Sequence, residues 1–364
     1  MKALSDPTLL RLIYAGGTIG ADGAPLAPLP GQAFRARFDR LAGPALAGRG
    51  ATLPPLAWSC LEPAIDSTDA TPSDWLRLAR AVLDPPTPGP RIVLHGTDTL
   101  ANTAAALSLM LCLRDEARRT ARWPGRVIVT GSMLPFFDGD ALRLGSDALD
   151  NLMTALDAAA TAPPGVHVAF GGRCLRGDHL LKLDSRAMAA FASPSPAPME
   201  AGDLAEADAT ALLAALDRLA PHLGRRAVPV VYPAPEAPDH QARLIQALVD
   251  GLGDRLGALI LAGYGQGNIP AAATLAPVLE AVTTRGVPVL LATQVIAGGV
   301  APEAYAAGAW LADWGVIPGG LRTIPHLHAL AHLGLALAAA EGWPPAVLNV
   351  FLRAEIGTAS VVLS

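Results

Sequence analysis

Lysine is almost absent from this 364-residue chain: of its 27 basic residues only Lys2 and Lys182 are lysines. No Lys/Arg run occurs, and the formal net charge is -5. That excludes nucleic acid and anionic membrane as main partners, because both are held through dense cationic patches. Long hydrophobic runs are missing too. The stretch from Leu100 to Leu113 is too short to span a bilayer and carries Asn102, Thr103 and Ser108, so it predicts a buried helix and no membrane partner. The opening MKALSDPTLLRLIYAGG lacks a signal-peptide region or cleavage site, which predicts no export and a cytoplasmic location. Cysteine is scarce. Cys60, Cys112 and Cys174 are odd in number and at no metal-ligand spacing, so we expect reduced core residues, not a disulfide framework or metal site.

What is present is a core-forming composition, 51% apolar and 16% charged, enough for one large domain or two ordinary ones. Small neutral or anionic ligands stay open. Lys2 sits at the terminus, so Lys182 is the sole interior ammonium in a chain that otherwise uses guanidinium. A buried lysine can release its proton and arginine cannot, which makes Lys182 a candidate for acid/base work. The plainer alternative is a surface residue left by chance in an arginine-favouring composition.

Short apolar runs alternate with longer Ala/Leu-rich segments, the pattern of an α/β fold. Strands are expected at Leu9 to Ala15, Arg91 to Leu94, Arg126 to Thr130, Val166 to Phe170, Val228 to Tyr232, Ala258 to Leu261 and Val287 to Ala292. Their unbroken apolarity predicts parallel-rich sheets with helices on both faces. Helices are expected at Ser73 to Leu83, Thr99 to Leu113, Ser146 to Ala159, Asp239 to Leu252, Ala271 to Thr284 and Leu327 to Ala340, with Ser73 and Asp239 as N-caps. The Pro-, Ser- and acid-rich stretch from Ser193 to Ala207 marks a linker. The expected division is a larger N-terminal α/β domain (residues 1–195), a linker (196–225) and a smaller C-terminal α/β domain (226–364). The Pro cluster from Tyr232 to Asp239 reads as a βα loop facing a ligand.

Four segments carry chemistry. Tyr14-Ala-Gly-Gly-Thr-Ile-Gly20 is a strand running into glycines that turn the chain where ligands sit in open parallel sheets, with Thr18 projecting there. It lacks the nucleotide-binding glycine spacings, and a structural turn is the plainer reading. Arg91-Ile-Val-Leu-His-Gly-Thr-Asp-Thr-Leu100 repeats the arrangement ahead of a helix whose N-terminus suits an oxyanion or carboxylate. There Thr97 and Thr99 serve equally as helix caps, and Asp98 as a partner for the dipole. Ala64-Ile-Asp-Ser-Thr-Asp-Ala-Thr-Pro-Ser-Asp-Trp75 is a dense polar loop, and Leu175 to Ser185 holds Lys182.

These segments, in this order, resemble the bacterial-type L-asparaginase (asparaginase/glutaminase) family, nearest its cytoplasmic type. A-G-G-T-I-G is similar to one signature and H-G-T-D-T matches the other. A given five-residue string arises by chance in a chain this long about once in ten thousand. Weaker echoes lie at Gly131-Ser132, Asp147 with Asn151-Leu152, Gly263 to Asn268, and Thr293-Gln294. The resemblance implies hydrolysis of the side-chain amide of L-asparagine, and of L-glutamine as an alternative, through a covalent acyl-enzyme. It implies Thr18 as nucleophile with Thr97, Asp98 and Lys182 in support, and neither metal nor organic cofactor. A threonine hydroxyl is a poor nucleophile at neutral pH, and a desolvated, neutral Lys182 facing Thr97 would be the proton acceptor it needs.

By the same resemblance Gly17, Asp66, Ser67, Thr68, Gly96 and Ser132 line the substrate pocket. Ser67 would hold the α-carboxylate, Asp98 the α-ammonium, and the Thr97 N–H the oxyanion. Gln266 or Asn268, and Glu303, would complete the pocket of a neighbouring subunit in a homodimer or homotetramer. The family places a tyrosine on a mobile loop after its first signature. Here the loop Ala21-Asp-Gly-Ala-Pro-Leu-Ala-Pro-Leu-Pro-Gly31 has no tyrosine, serine or threonine. Either another group assists Thr18, or acylation is impaired, or Thr97 is the nucleophile. Three prolines also predict a stiffer loop than a closing lid. Two other readings stay open: an amidase on a different amide, suggested by Thr68, and a binding protein without turnover. Of the cluster His326, His328 and His332, the last two stand at i and i+4 but lack a neighbouring carboxylate or cysteine, so they read as a helix face. His95 reads as a turn residue.

Overall fold

The computed structural model describes residues 9–51, 53–86, 89–114, 119–194, 204–270 and 273–357. Lys2, residues 196–203 of the expected linker and the expected helix start at Ala271 lie outside these. The chain divides into two compact units, one of Met1–Leu113, Ala121–Ser193 and Ala205–Leu216, the other of Arg114–Thr120, Pro194–Leu204 and Asp217–Ser364.

The main sheet of the first unit is built of β1 (Leu10–Gly16), β2 (Leu56–Ile65), β3 (Arg91–Leu94), β4 (Arg126–Thr130), β5 (Gly165–Phe170) and β6 (Arg173–Arg176). They form one sheet in the order β6-β5-β4-β3-β1-β2, parallel except for β6. β1 and β3 pair from Arg11 with Arg91 to Tyr14 with Leu94, so both strands end level. The chain goes from β1 outward to β2 and returns past β1 to β3, which makes the β1/β3 boundary a topological switch point, where parallel sheets open a crevice.

Helices α1 (Gly31–Gly48) and α4 (Ala148–Thr161) cover one face, and α2 (Pro72–Leu83) and α3 (Leu100–Met110) the other. Under α1 the core is aromatic. Tyr14 stacks on Phe34 at 4.1 Å, and Phe38 meets the edge of Trp58 at 5.1 Å. Such rings bury large apolar areas and add an orientation-dependent attraction.

The α/β reading and the expected strands agree with the structure to within two residues at each end. Three differences have physical causes. β2 escaped notice because it is an edge strand whose residues are mostly half-exposed, so it never needed an unbroken apolar run. α1 contains Gly43, Pro44 and Gly48 and has a weak local signal; its burial of Phe34, Phe38, Ala42 and Leu46 holds it in place. The stretch expected as a linker carries a strand at Ala205–Glu206, paired to Ala121 and Arg122, and helix α5 (Ala209–Leu219). The N-caps also differ. Thr71, not Ser73, precedes α2, its N–H donating to Asp74 Oδ2 at 2.9 Å. Cys174 lies exposed on β6, and so is no core residue, whereas Cys112 is buried.

The second unit holds a four-stranded parallel sheet of β7 (Val230–Val231), β8 (Leu259–Gly263), β9 (Val289–Thr293) and β10 (Ile317–Pro318), paired in that order. Helices α6 (Pro238–Leu252) and α7 (Leu275–Thr284) pack one core, while α8 (Ile324–Glu341) lies against β8 and β9 and packs with α9 (Pro345–Ile356). Asp239 falls inside α6, whose cap is Ala237. No helix among the described residues is long and apolar enough to cross a membrane.

His328 and His332 face each other on α8, ring centroids 4.7 Å apart, as the spacing expected. Burial, with His328 beside it, pushes His332 down to about 3. The unfolded chain titrates this histidine near pH 6.5, about the free value. Between those values the unfolded chain binds a proton that the folded chain refuses, so stability is complete above about pH 6.5 and falls as the pH drops. Urea midpoints should therefore decline from pH 7 to pH 4.5, and His332→Asn should flatten that slope; an unchanged slope in the variant would assign the acid sensitivity elsewhere.

Candidate active site

The carboxyl ends of β2, β1, β3 and β4 deliver Asp66-Ser67, Gly17-Thr18, Gly96-Thr97-Asp98 and Gly131-Ser132 to one edge of the sheet. The two central turns touch. Gly17 sits at φ 78°, and a Cβ built on it would lie 2.1 Å from Gly96 Cα. A Cβ on Gly96 would lie 2.3 Å from Ser67 Oγ. Only hydrogen fits at either position, so Gly17, Gly96 and Ser67 pack in direct contact and bring Thr18 and Thr97 to the same crevice.

Polar bonds fix this contact. Gly17 N–H donates to the Ile65 carbonyl (2.9 Å), tying β1 to the Ser67 turn. Ser67 Oγ accepts from the Asp98 N–H (3.3 Å), and the Thr99 hydroxyl donates to the Ser67 carbonyl (2.7 Å). Thr99 stands at the N-cap position of α3, yet its side chain makes no cap bond. Asp66 Oδ1 accepts from the Thr68 N–H (3.0 Å) and hydroxyl (2.9 Å), so these two shape the exposed part of the polar loop. Below the turn, fully buried His95 has Nδ1 2.7 Å from the Gly96 carbonyl and Nε2 3.1 Å from Thr103 Oγ1. Burial pushes His95 below its ordinary value, which suits a neutral strut.

Lys182 arrives from another direction. It sits in a two-residue strand, Leu181–Lys182, paired with Phe191–Ala192, and Phe191 packs edge-on against Phe170 at the end of β5. The Ser193 hydroxyl donates to the His179 carbonyl (2.7 Å), closing the base of the hairpin. From there Lys182 Nζ donates to Thr97 Oγ1 at 2.9 Å and to Asp98 Oδ1 at 2.7 Å. The Lys182 side chain is 20% exposed and Asp98 55%, while Thr97 is buried. Thr18 is half-buried on the three-residue turn Thr18–Gly20, and its hydroxyl has no hydrogen-bond partner among the described residues.

Ser132 is fully buried and donates to the Leu134 carbonyl. Its loop is held from below by Asp147, whose oxygens accept from the N–H groups of Met133 (3.0 Å) and Leu134 (3.1 Å), and by Asn151 Nδ2 on the Gly131 carbonyl (3.0 Å). Asp147 and Asn151, only faint echoes in the sequence, thus buttress the site. Buried carboxylates that collect backbone N–H groups are the signal that finds such residues.

Gln266, Asn268 and Glu303 belong to the second unit. Gln266 and Asn268 lie in a tight loop after β8, closed by the Tyr264 N–H on the Asn268 carbonyl (2.8 Å); Glu303 is exposed on a short turn. The Tyr232–Asp239 loop borders a cavity of about 200 Å³ lined by Leu244, Ile245 and Leu261. Among the described residues no group of three His, Cys, Asp or Glu stands close enough to share a metal ion.

A doubly wound sheet that gathers two threonines, a lysine and a carboxylate at its switch point is the architecture of an α/β enzyme. The asparaginase N-terminal family matches residues 9–210, and the glutaminase/asparaginase C-terminal domain family matches residues 230–347. The chain belongs to the asparaginase family. It is 33% identical over 264 residues to an L-asparaginase of Thermococcus kodakarensis, covering 71% of this chain and 74% of that one. To L-asparaginase 1 of Escherichia coli it is 35% identical over 277 residues, covering 72% and 73%. The crystal structure of L-asparaginase I from Vibrio cholerae superposes with a TM-score of 0.70 at 26% identity, covering 96% and 97%.

Because the two turns meet backbone to backbone, Gly17→Ala should destabilise the fold by about 3 kcal/mol, through overlap and a strained φ together. Chemical denaturation measures this, and wild-type stability in the variant would show that the turns have room to part.

Proposed function

We propose that this chain hydrolyses the side-chain amide of L-asparagine to L-aspartate and ammonia through a threonine acyl-enzyme. The observation that carries the reading is Lys182 Nζ set between Thr97 Oγ1 and Asp98 Oδ1. In this reading Thr18 Oγ1 attacks the amide carbon and its proton passes to the Thr97–Lys182 pair. The Thr97 N–H steadies the oxyanion. The proton then goes to the amide nitrogen, ammonia leaves, and a Thr18 ester forms. Water cleaves that ester, releasing aspartate and restoring the hydroxyl.

Ser67 holds the α-carboxylate. Asp98 has Oδ1 on Lys182, which leaves Oδ2 for the α-ammonium. Gly17 and Gly96 let substrate approach the backbone, while Asp66, Thr68 and Ser132 shape the pocket wall. Gln266 or Asn268, together with Glu303, serve a neighbouring subunit's pocket in a homodimer or homotetramer. The proposed location is the cytoplasm. L-glutamine or another amide is the alternative substrate. A second reading, a protein that binds asparagine or aspartate without turnover, is favoured by one observation: among the described residues nothing hydrogen-bonds the Thr18 hydroxyl, and the loop after it has no tyrosine.

Ammonia release from millimolar asparagine and glutamine decides between them. Turnover should be lost in Thr18→Ala and Thr97→Ala. Lys182→Arg should fold and lose at least about a hundredfold in kcat, the scale of general-base assistance. Thermal stabilisation by aspartate without ammonia release would favour the binding protein, and an active Arg variant would remove Lys182 from the mechanism.

A further inference from the structure

The segment after Thr18 returns on itself as a small hairpin. Ala21 pairs with Pro28 and Asp22 with Ala27, and the Leu29 N–H donates to the Gly20 carbonyl at 2.9 Å. Tyr14, two residues before the glycine pair, lies under the base of this hairpin. Its hydroxyl donates to the Leu29 carbonyl at 2.9 Å and lies 3.4 Å from the Gly20 carbonyl. The ring is fully buried and stacked on Phe34 with 4° between planes. Burial also pushes the phenol above its ordinary value, so it stays a donor. Other ties surround it: Asp22 pairs with Arg37, the Gly31 N–H donates to Glu62 Oε1 (3.0 Å), and the Phe136 N–H donates to the Ile19 carbonyl (3.0 Å). Pro25, Pro28 and Pro30 stiffen the same stretch.

A lid closes by changing a few backbone dihedrals at its hinges. Here both ends, Gly20 and Leu29, are stitched to each other and to one buried phenol. We propose that Ala21–Gly31 is a fixed rim rather than a closing lid, and that Tyr14 is the positioning residue that holds this rim and, through Gly20, the turn carrying Thr18. The positioning role rests on the reading of Thr18 as nucleophile; the fixed rim does not. Substrate then meets a wall already in place, with Ala24, Pro25 and Leu26 at its tip in place of a hydroxyl, and orders no loop on binding.

Hydrogen exchange on the full chain, free and with saturating L-aspartate, tests the rim. The Gly20, Leu29 and Gly31 amides should be protected at least about a hundredfold in the free protein and change less than about threefold with aspartate. Open amides in the free protein, or protection appearing only with aspartate, would overturn the rim. Tyr14→Phe removes the hydroxyl and keeps the stack. It should speed exchange at Leu29 at least about tenfold and lower kcat on asparagine about tenfold with KM within about twofold, the split expected when orientation is lost and binding is kept. Wild-type kcat in Tyr14→Phe would overturn the positioning role. A wild type without turnover overturns that role together with the proposed hydrolysis, while the rim still stands or falls on exchange alone.

Discussion

The first unit depends on one contact: the meeting of two backbones, Gly17 and Gly96, where β1 and β3 end side by side. Parallel pairing sets the two strand ends level, and the absence of any Cβ lets the turns close to contact. Everything polar at this edge is arranged around that point. Ser67 packs on Gly96 from the β2 side, and the threonines following each glycine are carried to the same place. A side chain at either glycine would part the turns and take the hydroxyls with them.

Around the contact, the polar groups fall into two kinds. Asp147, Asn151, His95 and Thr103 are buried, bonded within the protein, and face backbone groups or each other. They remove the cost of burying the turns' N–H and carbonyl groups, which would otherwise be about 1 to 3 kcal/mol each. Lys182, Asp98 and Thr18 are part-exposed and are not consumed in the same way. That difference in exposure separates the struts from the groups available to a ligand.

Much of this was legible along the chain. The inner strands announce themselves because both faces are covered, so their apolar runs are unbroken, and the glycine-threonine turns lie where parallel strands end. Edge strand β2 and helix α1 were not legible. The first is half solvated, and the second contains Gly43 and Pro44 and is held by aromatic packing against Tyr14, Trp58 and Phe136, residues far from it in sequence. The buttress of Asp147 was faint for a related reason: its partners, Met133 and Leu134, bind through backbone, which carries no residue signature.

Composition alone singled out Lys182, since a lone ammonium among guanidinium groups is visible without coordinates, and the strand-turn pattern alone placed Thr18, Thr97 and Asp98 at strand ends. Which of these meet is a matter of sheet order. Residues 84 positions apart become neighbours at 2.7 Å because strand pairing and the Phe170–Phe191 contact bring Lys182 beside Asp98. Tyr14's hold on the loop likewise needed the folded chain, for a hydrogen bond from a buried phenol to two carbonyls leaves no mark in the order of residues.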